Sequence, residues 1–287
     1  MTYSTPEALR AALEHRLSLQ SEATGIGLDR LRRRVVFERV VSRLEAANPG
    51  RWVLKGGMAL EARLRDRARL TKDIDLGLRD SVDDADELHE QIVDALSHDP
   101  FGDRFVLTAT PPHRLMEDGA GFLTWRTTVH AQLAGKTFGR VRLDVSPRRH
   151  ELGSTERLQL PNSLAFAGIT TPAIEIIDVN RHAAEKFHAM QRDFGDRDNS
   201  RVRDLVDLVI LHENGLIEPR GLSAAIRNVW REREQTEPPT TLPPFPATWP
   251  ARYAQLAADH ELQSREYVIA VEIVTAMWIQ AVIAEES

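Results

Sequence analysis

Apolar residues recur at helical spacing over residues 6–22 and 28–47; the second stretch carries Leu28, Leu31, Val35, Val40 and Leu44, with Arg30, Arg32, Arg33 and Arg34 crowding its first turns. Pro49-Gly50 ends that helix. The short apolar run Trp52-Val53-Leu54 predicts a strand, Lys55-Gly56-Gly57 follows it, and Met58 to Arg67 returns to helical spacing. Thr71 to Leu78 then alternates strictly, as a half-buried strand does. An acidic helix over 82–97 leads to strands near 104–110, 121–133 and 139–146, the last two paired as a hairpin through Gly135–Gly139. Beyond about residue 155 the pattern changes: 178–193, 200–213, 219–235 and 264–284 favour helix and strand signals almost vanish. Six prolines between 238 and 250 predict a stiff connector with no regular element. There is no internal repeat. The expected fold is α+β: a mixed sheet with flanking helices over 1–155, and a mostly helical domain over 156–287 that completes a cleft.

Composition narrows this picture little. The 42% hydrophobic and 28% charged residues suit a globular chain with a real core and exclude a disordered segment, a collagen-like fibre or a coiled-coil rod. The most apolar stretch, Val268 to Ile283, is interrupted by Glu272, Thr275 and Gln280 and falls short of a membrane span. With no cysteine, thiolate metal sites, disulfides and cysteine nucleophiles are excluded. The first residues lack a basic segment leading into an apolar one, so a cytoplasmic location is expected.

Charge changes the picture more. The net charge of −6 argues against a protein that coats long nucleic acids. Its distribution is uneven: Arg51 to Arg79 holds eight Lys/Arg against four Asp/Glu, and Asp80 to Asp103 holds nine acids and no Lys/Arg. Lys136 to Arg149 then holds five basic residues and one acid, Asp144. Local basic zones on an acidic body fit a phosphate-rich ligand gripped at one place.

The candidate chemistry lies on Thr71-Lys72-Asp73-Ile74-Asp75-Leu76-Gly77-Leu78. Side chains alternate across a strand, so Asp73 and Asp75 share one face while Ile74, Leu76 and Leu78 take the other. Two adjacent carboxylates repel unless a cation lies between them, which is the donor set of a hard divalent ion such as Mg²⁺. The alternative is a pair of solvated acids. Gly56-Gly57, between a strand and a helix, lets backbone approach a ligand and offers helix N–H groups to phosphate, with Lys55 beside it as a cation. On Val141-Arg142-Leu143-Asp144-Val145-Ser146, Asp144 shares a face with Arg142 and Ser146. It either supplies a third carboxylate, enough for two Mg²⁺ ions, or pairs with Arg142 or Arg148. No His-x-x-x-His spacing and no phosphate-binding Gly-x-x-x-x-Gly-Lys loop is present. Trp125, Trp230, Trp249 and Trp278 read as core or interface residues.

The order strand, Gly-Gly, helix, Asp-Ile-Asp resembles the polymerase-β-like nucleotidyltransferases. The fuller strings Trp52 to Leu60 and Leu70 to Leu76 resemble the AbiEii/AbiGii toxin family, with which the mycobacterial MenT toxins belong. The resemblance extends to a lysine-bearing helix, Ala184-Glu185-Lys186-Phe187, and to Arg201-Val202-Arg203-Asp204-Leu205-Val206-Asp207, where Asp204 and Asp207 share a helix face. It implies a nucleotidyltransferase-like N-terminal domain and an Mg²⁺-dependent toxin. Such an enzyme moves NMP from an NTP to an RNA acceptor, the tRNA 3′ end, and blocks translation. Asp73, Asp75, Lys186 and Asp204 would be catalytic, and Asp73, Asp75 and Asp144 would hold one or two metal ions. Lys55, Gly56, Gly57 and Thr71 would bind nucleotide, with Arg201 and Asp207 in support. Lys186 would reach a nucleotide phosphate while Asp204 holds it or helps take a proton from the acceptor. Expected partners are the NTP, tRNA or another RNA, and a cognate antitoxin, either a repressor or a kinase-like protein; no membrane is involved. Phosphorylation of Thr71 would put nearly two negative charges on the face of Asp73 and block the NTP. Two other readings remain: transfer to a small-molecule or protein hydroxyl, and a non-catalytic module that only binds an antitoxin.

Overall fold

The computed structural model describes residues 3–64, 73–82, 84–115, 123–147, 152–192 and 201–283. They form two compact units, one from the described residues up to Ile176 and one from those after it. No described helix is long and apolar enough to cross a membrane.

The first unit is built on a mixed sheet. Helices α1 (Pro6–Thr24) and α2 (Leu28–Ala47) precede β1 (Trp52–Lys55), α3 (Gly56–Leu64), β2 (Asp73–Leu78) and α4 (Ala85–Ser97). Then come β3 (Phe105–Ala109), β4 (His113–Arg114), β5 (Trp125–Leu133), β6 (Lys136–Ser146), β7 (Thr155–Gln159) and β8 (Ala173–Ile177). The strand order is β3-β5-β6-β2-β1-β8-β7, with β4 added to β5. Pairs β2–β6 and β1–β8 are parallel; β1–β2, β3–β5, β4–β5 and β5–β6 are antiparallel.

Two features depart from the expectation. The sheet runs past residue 155, because β8 lies beside β1 and β7 beside β8. The hairpin also turns more tightly than Gly135–Gly139. Ala134 (φ 53°) and Gly135 (φ 66°) form a two-residue turn of left-handed residues, so Leu133 pairs with Lys136. Gly139 lies inside β6. Between them is a β-bulge: Gln132 pairs with Thr137 but Ala131 with Gly139, so Phe138 has no opposite residue on β5. Its ring packs edge-on against Phe105 at 5.1 Å.

Helix α2 spans the predicted 28–47, yet it is no simple amphipathic helix. From Val35 to Glu45 every residue is buried, charged ones included. Its buried arginines are bonded in part: Arg39 donates from Nη1 to Thr170 O (3.4 Å), while its Nε and Nη2 and the Nε of Arg43 have no hydrogen-bond partner among the described residues. Arg43 donates to Leu96 O (2.7 Å), Phe105 O (2.8 Å) and Asp103 Oδ1 (2.5 Å). Glu38 accepts from Ser163 N (2.7 Å) and Ser163 Oγ (2.9 Å). Burial pushes the Glu38 carboxyl up from its ordinary 4.5 to about 7, against the pull of the Ser163 bonds and of Arg39.

The folded chain therefore holds a proton on Glu38 that the unfolded chain has already lost between about pH 4.5 and 7. Stability falls as pH rises through that window and levels off above it, by about 3 kcal/mol at most. A Glu38→Gln variant, neutral throughout, is expected to flatten this segment of a denaturant-derived stability profile from pH 4.5 to 8. An unchanged slope would show that Glu38 does not titrate there.

The second unit is helical: α5 (Val179–Gln191), α6 (Val202–Glu213), α7 (Pro219–Arg233), α8 (Trp249–Asp259) and α9 (Tyr267–Ile283). Asp178 caps α5 by accepting from the N–H groups of Asn180 and Arg181. Trp230, Trp249 and Trp278 are buried, with Trp230 and Trp278 packed at 5.2 Å, so these indoles are core. Helix α8 departs from the expected connector, since its first turn takes in Trp249 and Pro250 at the end of the proline-rich run.

Candidate active site

One face of the sheet in the first unit gathers charge. Lys55 on β1 is the register partner of Asp75 on β2, and Asp75 is the partner of Asp144 on β6. Asp144 in turn faces Arg126 on β5. Residues in register on neighbouring strands project to the same side. A row Lys55–Asp75–Asp144–Arg126 thus crosses four strands, each about 4.8 Å from the next. One step along the strands, Asp73 is the partner of Arg142, and Arg142 of Thr128. The opposite face is apolar, with Ile74, Leu76, Leu143 and Val145 buried. Alternation thus separates chemistry from core, as the sequence predicts for Asp73, Asp75 and Asp144.

Asp75 and Asp144 side by side repel. Two guanidiniums and an ammonium offset that repulsion. Arg126 donates from Nε to Asp144 Oδ1 (2.7 Å) and from Nη2 to Oδ2 (2.6 Å), a bidentate pair. Arg142 Nε donates to Asp73 Oδ1 (2.5 Å). Lys55 is buried at the β1 end of the row. Asp144 pairs with Arg126 in place of Arg142, which serves Asp73 instead, and Arg148 lies outside the described residues. The guanidinium of Arg126 is pushed above its ordinary range, first by its hydrogen bond to Asp144 and then, against burial, by the charges of Asp144, Asp73 and Asp75. All three acids thus lie within the electrostatic reach of one side chain.

Gly56 closes the row at one end. It has φ +57°, and a Cβ there would overlap the Asp75 carboxylate. The close approach predicted for this glycine is made by a carboxylate of the chain itself, at the N-terminus of α3, where negative charge is favoured. Gly57 is buried within that helix. Gly77 continues the face beyond Asp75, and the Leu152 side chain packs over it, leaving no room for a Cβ.

Among the described residues, no three His, Asp or Glu side chains stand ready around a single metal position. The donor set still suits a hard cation, since Asp73, Asp75 and Asp144 offer carboxylate oxygens on one sheet face. Both oxygens of Asp144, however, are engaged by Arg126. Thr71 lies outside the described residues, so its predicted place on the face of Asp73 has no structural counterpart.

In the helical unit, the second set of predicted residues comes together. Lys186 on α5 donates from Nζ to Asp204 Oδ1 (3.2 Å) and Asp207 Oδ2 (2.5 Å) on α6. Asp207 is fully buried, and Arg201 lies 3.7 Å from Asp204. Replacing Lys186 by Met takes the ammonium from between two buried carboxylates, and a loss of about 3–5 kcal/mol is expected in urea unfolding. Adding Asp207→Asn in that background is expected to recover part of it; no recovery would mean that the pair does not carry the effect.

Sequence reasoning missed Arg126. Its place on the alternating strand 125–133 was a signal, but the bulge at Phe138 decides which β6 residue it meets. Counting back from the two-residue turn without the bulge sets Arg126 against Leu143, on the apolar face.

The profile of the family described as "Nucleotidyl transferase AbiEii toxin, Type IV TA system" matches residues 39–272. No curated protein matches the chain at a significant level. Among solved structures, MenT4, a nucleotidyltransferase toxin from Mycobacterium tuberculosis, is 18% identical over 94% of this chain and 88% of its own, with a TM-score of 0.54. A putative nucleotidyltransferase from H. pylori is 15% identical over 90% of this chain and 93% of its own, with a TM-score of 0.41. A nucleotidyltransferase-like protein from Paracoccidioides brasiliensis is 17% identical over 72% of this chain and 90% of its own, with a TM-score of 0.39. The MenT4 likeness reaches the level of a shared fold, while the other two scores are too low to argue from. With its acidic strand, glycine pair, lysine helix and Arg201–Asp207 segment all inside the matched span, the chain is a member of the AbiEii nucleotidyltransferase toxin family.

Proposed function

We propose that this chain transfers a nucleoside monophosphate from an NTP to an RNA hydroxyl, the 3′ end of a tRNA, releasing pyrophosphate and thereby stopping translation. The observation that carries the reading is the charged row Lys55–Asp75–Asp144–Arg126 with Asp73 beside it, set against the head of α3. Phosphoryl transfer asks a protein mainly for positioning and for charge placed where charge develops. Asp73 and Asp75, joined by Asp144, would hold one or two Mg²⁺ ions, which would acidify the acceptor hydroxyl and neutralise the leaving pyrophosphate. Lys55 supplies a fixed cation at the edge of the acids, and the N–H groups of Gly56 and Gly57 open a helix toward the phosphates. In the helical unit, Lys186 offers an ammonium to phosphate oxygens, Asp204 orients it, and Arg201 and Asp207 steady that pair. A cognate antitoxin, repressor or kinase-like, would restrain the enzyme in the cytoplasm, and Thr71 is the hydroxyl proposed for phosphorylation by a kinase-like partner.

The test is incubation of the purified chain with each of the four α-labelled NTPs, Mg²⁺ and total RNA, and separately with lysate protein. Label is expected on RNA of tRNA size and to vanish with EDTA. Label on protein or on small molecules alone would replace the RNA acceptor, and no label with any nucleotide would remove the enzymatic reading.

A further inference from the structure

Arg126 stands where the site is most tightly balanced. It is the outer member of the row, yet it answers to every acid in it: it is bonded twice to Asp144, and the charges of Asp73 and Asp75 act on it as well. The pair is half-buried, with side chains 27% and 13% exposed. That is dry enough to hold one geometry and wet enough to exchange partners. Arg142 plays a lesser part, because among the described residues it pairs with Asp73 alone and is itself 45% exposed.

A guanidinium is a planar fork that fits a carboxylate and a phosphate equally well. Each oxygen of Asp144 keeps a second lone pair beside its bond to Arg126, but a divalent cation shared with Asp73 and Asp75 would draw the carboxylate toward β2 and compete with the guanidinium for its charge. Once loosened, that fork has lost an anionic partner on the same sheet face where a triphosphate would bring several.

We propose that Arg126 is a positioning residue that holds Asp144 in reserve: it keeps the third carboxylate turned toward β5, yields it when a divalent cation binds at Asp73 and Asp75, and then takes phosphate oxygens of the nucleotide. This rests on the nucleotidyltransferase reading and adds to it a competition that the reading does not require. Affinity for the metal alone is limited by Arg126, whereas affinity for the metal–nucleotide pair depends on it.

The two halves predict effects of opposite sign. Mn²⁺ serves as the probe, titrated into the full chain without nucleotide and followed by the paramagnetic resonance of the free ion. Arg126→Met is expected to bind Mn²⁺ roughly tenfold more tightly than the parent chain, the factor a bidentate charged pair is worth. The same variant is expected to show a KM for NTP raised about tenfold or more in the transfer assay. Arg126→Lys keeps the charge but loses the fork and should fall between the two, which also covers a Met variant that fails to fold. Adding Asp144→Asn to Arg126→Met should erase the gain in Mn²⁺ affinity. Equal or weaker Mn²⁺ binding by both Arg126 variants would reduce the arginine to a structural pair and overturn the proposal while leaving the enzyme reading intact. Absence of Mn²⁺ binding in the parent and in every variant would overturn both.

Discussion

Asp75→Asn is expected to lower single-turnover nucleotidyl transfer by about a thousandfold or more while leaving the thermal unfolding midpoint nearly unchanged. The loss follows from position: Asp75 is the register partner of both Lys55 and Asp144, so it is the central carboxylate of the row. An amide keeps its shape but gives up the charge on which hard-cation binding depends, and several kcal/mol of transition-state stabilisation go with it. The stability effect is small, because the variant removes a repulsion of about 0.2–1 kcal/mol between like charges on neighbouring strands and with it a comparable attraction to Lys55 and the head of α3. Activity lost with stability kept is the signature of a site residue. A variant that melts early and is inactive for that reason alone would speak for a structural acid, and one that still turns over at the parent rate would move the chemistry elsewhere.

The second large effect is expected at Gly56. With φ +57°, any other residue there is strained by about 1–2 kcal/mol. An added Cβ would also overlap the Asp75 carboxylate, so the strand or the head of α3 must shift. Gly56→Ala should therefore cost about 2–3 kcal/mol in denaturant unfolding and at least a hundredfold in transfer rate, since a misplacement of about 1 Å at the reacting groups is felt that strongly. Gly50 is the control: its φ is +74°, but nothing lies within 4 Å of the added carbon. Gly50→Ala should show the strain alone, with transfer intact. If both variants lose the same stability and keep the same rate, the contact with Asp75 has no functional weight.

The parts of the molecule that could be read from sequence are those where one local rule decides. Alternation from Asp73 to Leu78 needs only a half-buried strand, and α2 carries apolar residues over its whole observed length. The parts that could not be read are those where a neighbour decides. Ala173–Ile177 is a short run without clean alternation, and it becomes a strand because β1 offers it a parallel edge. In α8, Pro250 reads as a breaker, yet a proline in the first helical turn gives up an N–H that would be unpaired anyway. The buried charges Glu38, Arg39 and Arg43 interrupt the apolar face of α2, and only their partners on other elements account for them. In the site, the three carboxylates were visible as residues, but the arginines that restrain Asp73 and Asp144 were visible only as register.

That register depends on parity. The extra residue at Phe138 shifts β6 by one against β5, and the ring of Phe138 against Phe105 fixes the shift in the core. Removing the extra residue would let β6 pair regularly from the two-residue turn and leave Asp144 opposite Arg126, whereas removing one more would set Val145 there and turn Asp144 inward. The hairpin should therefore keep the Asp144–Arg126 pair when Phe138 goes, losing only its packing on Phe105, and break that pair when a second residue follows.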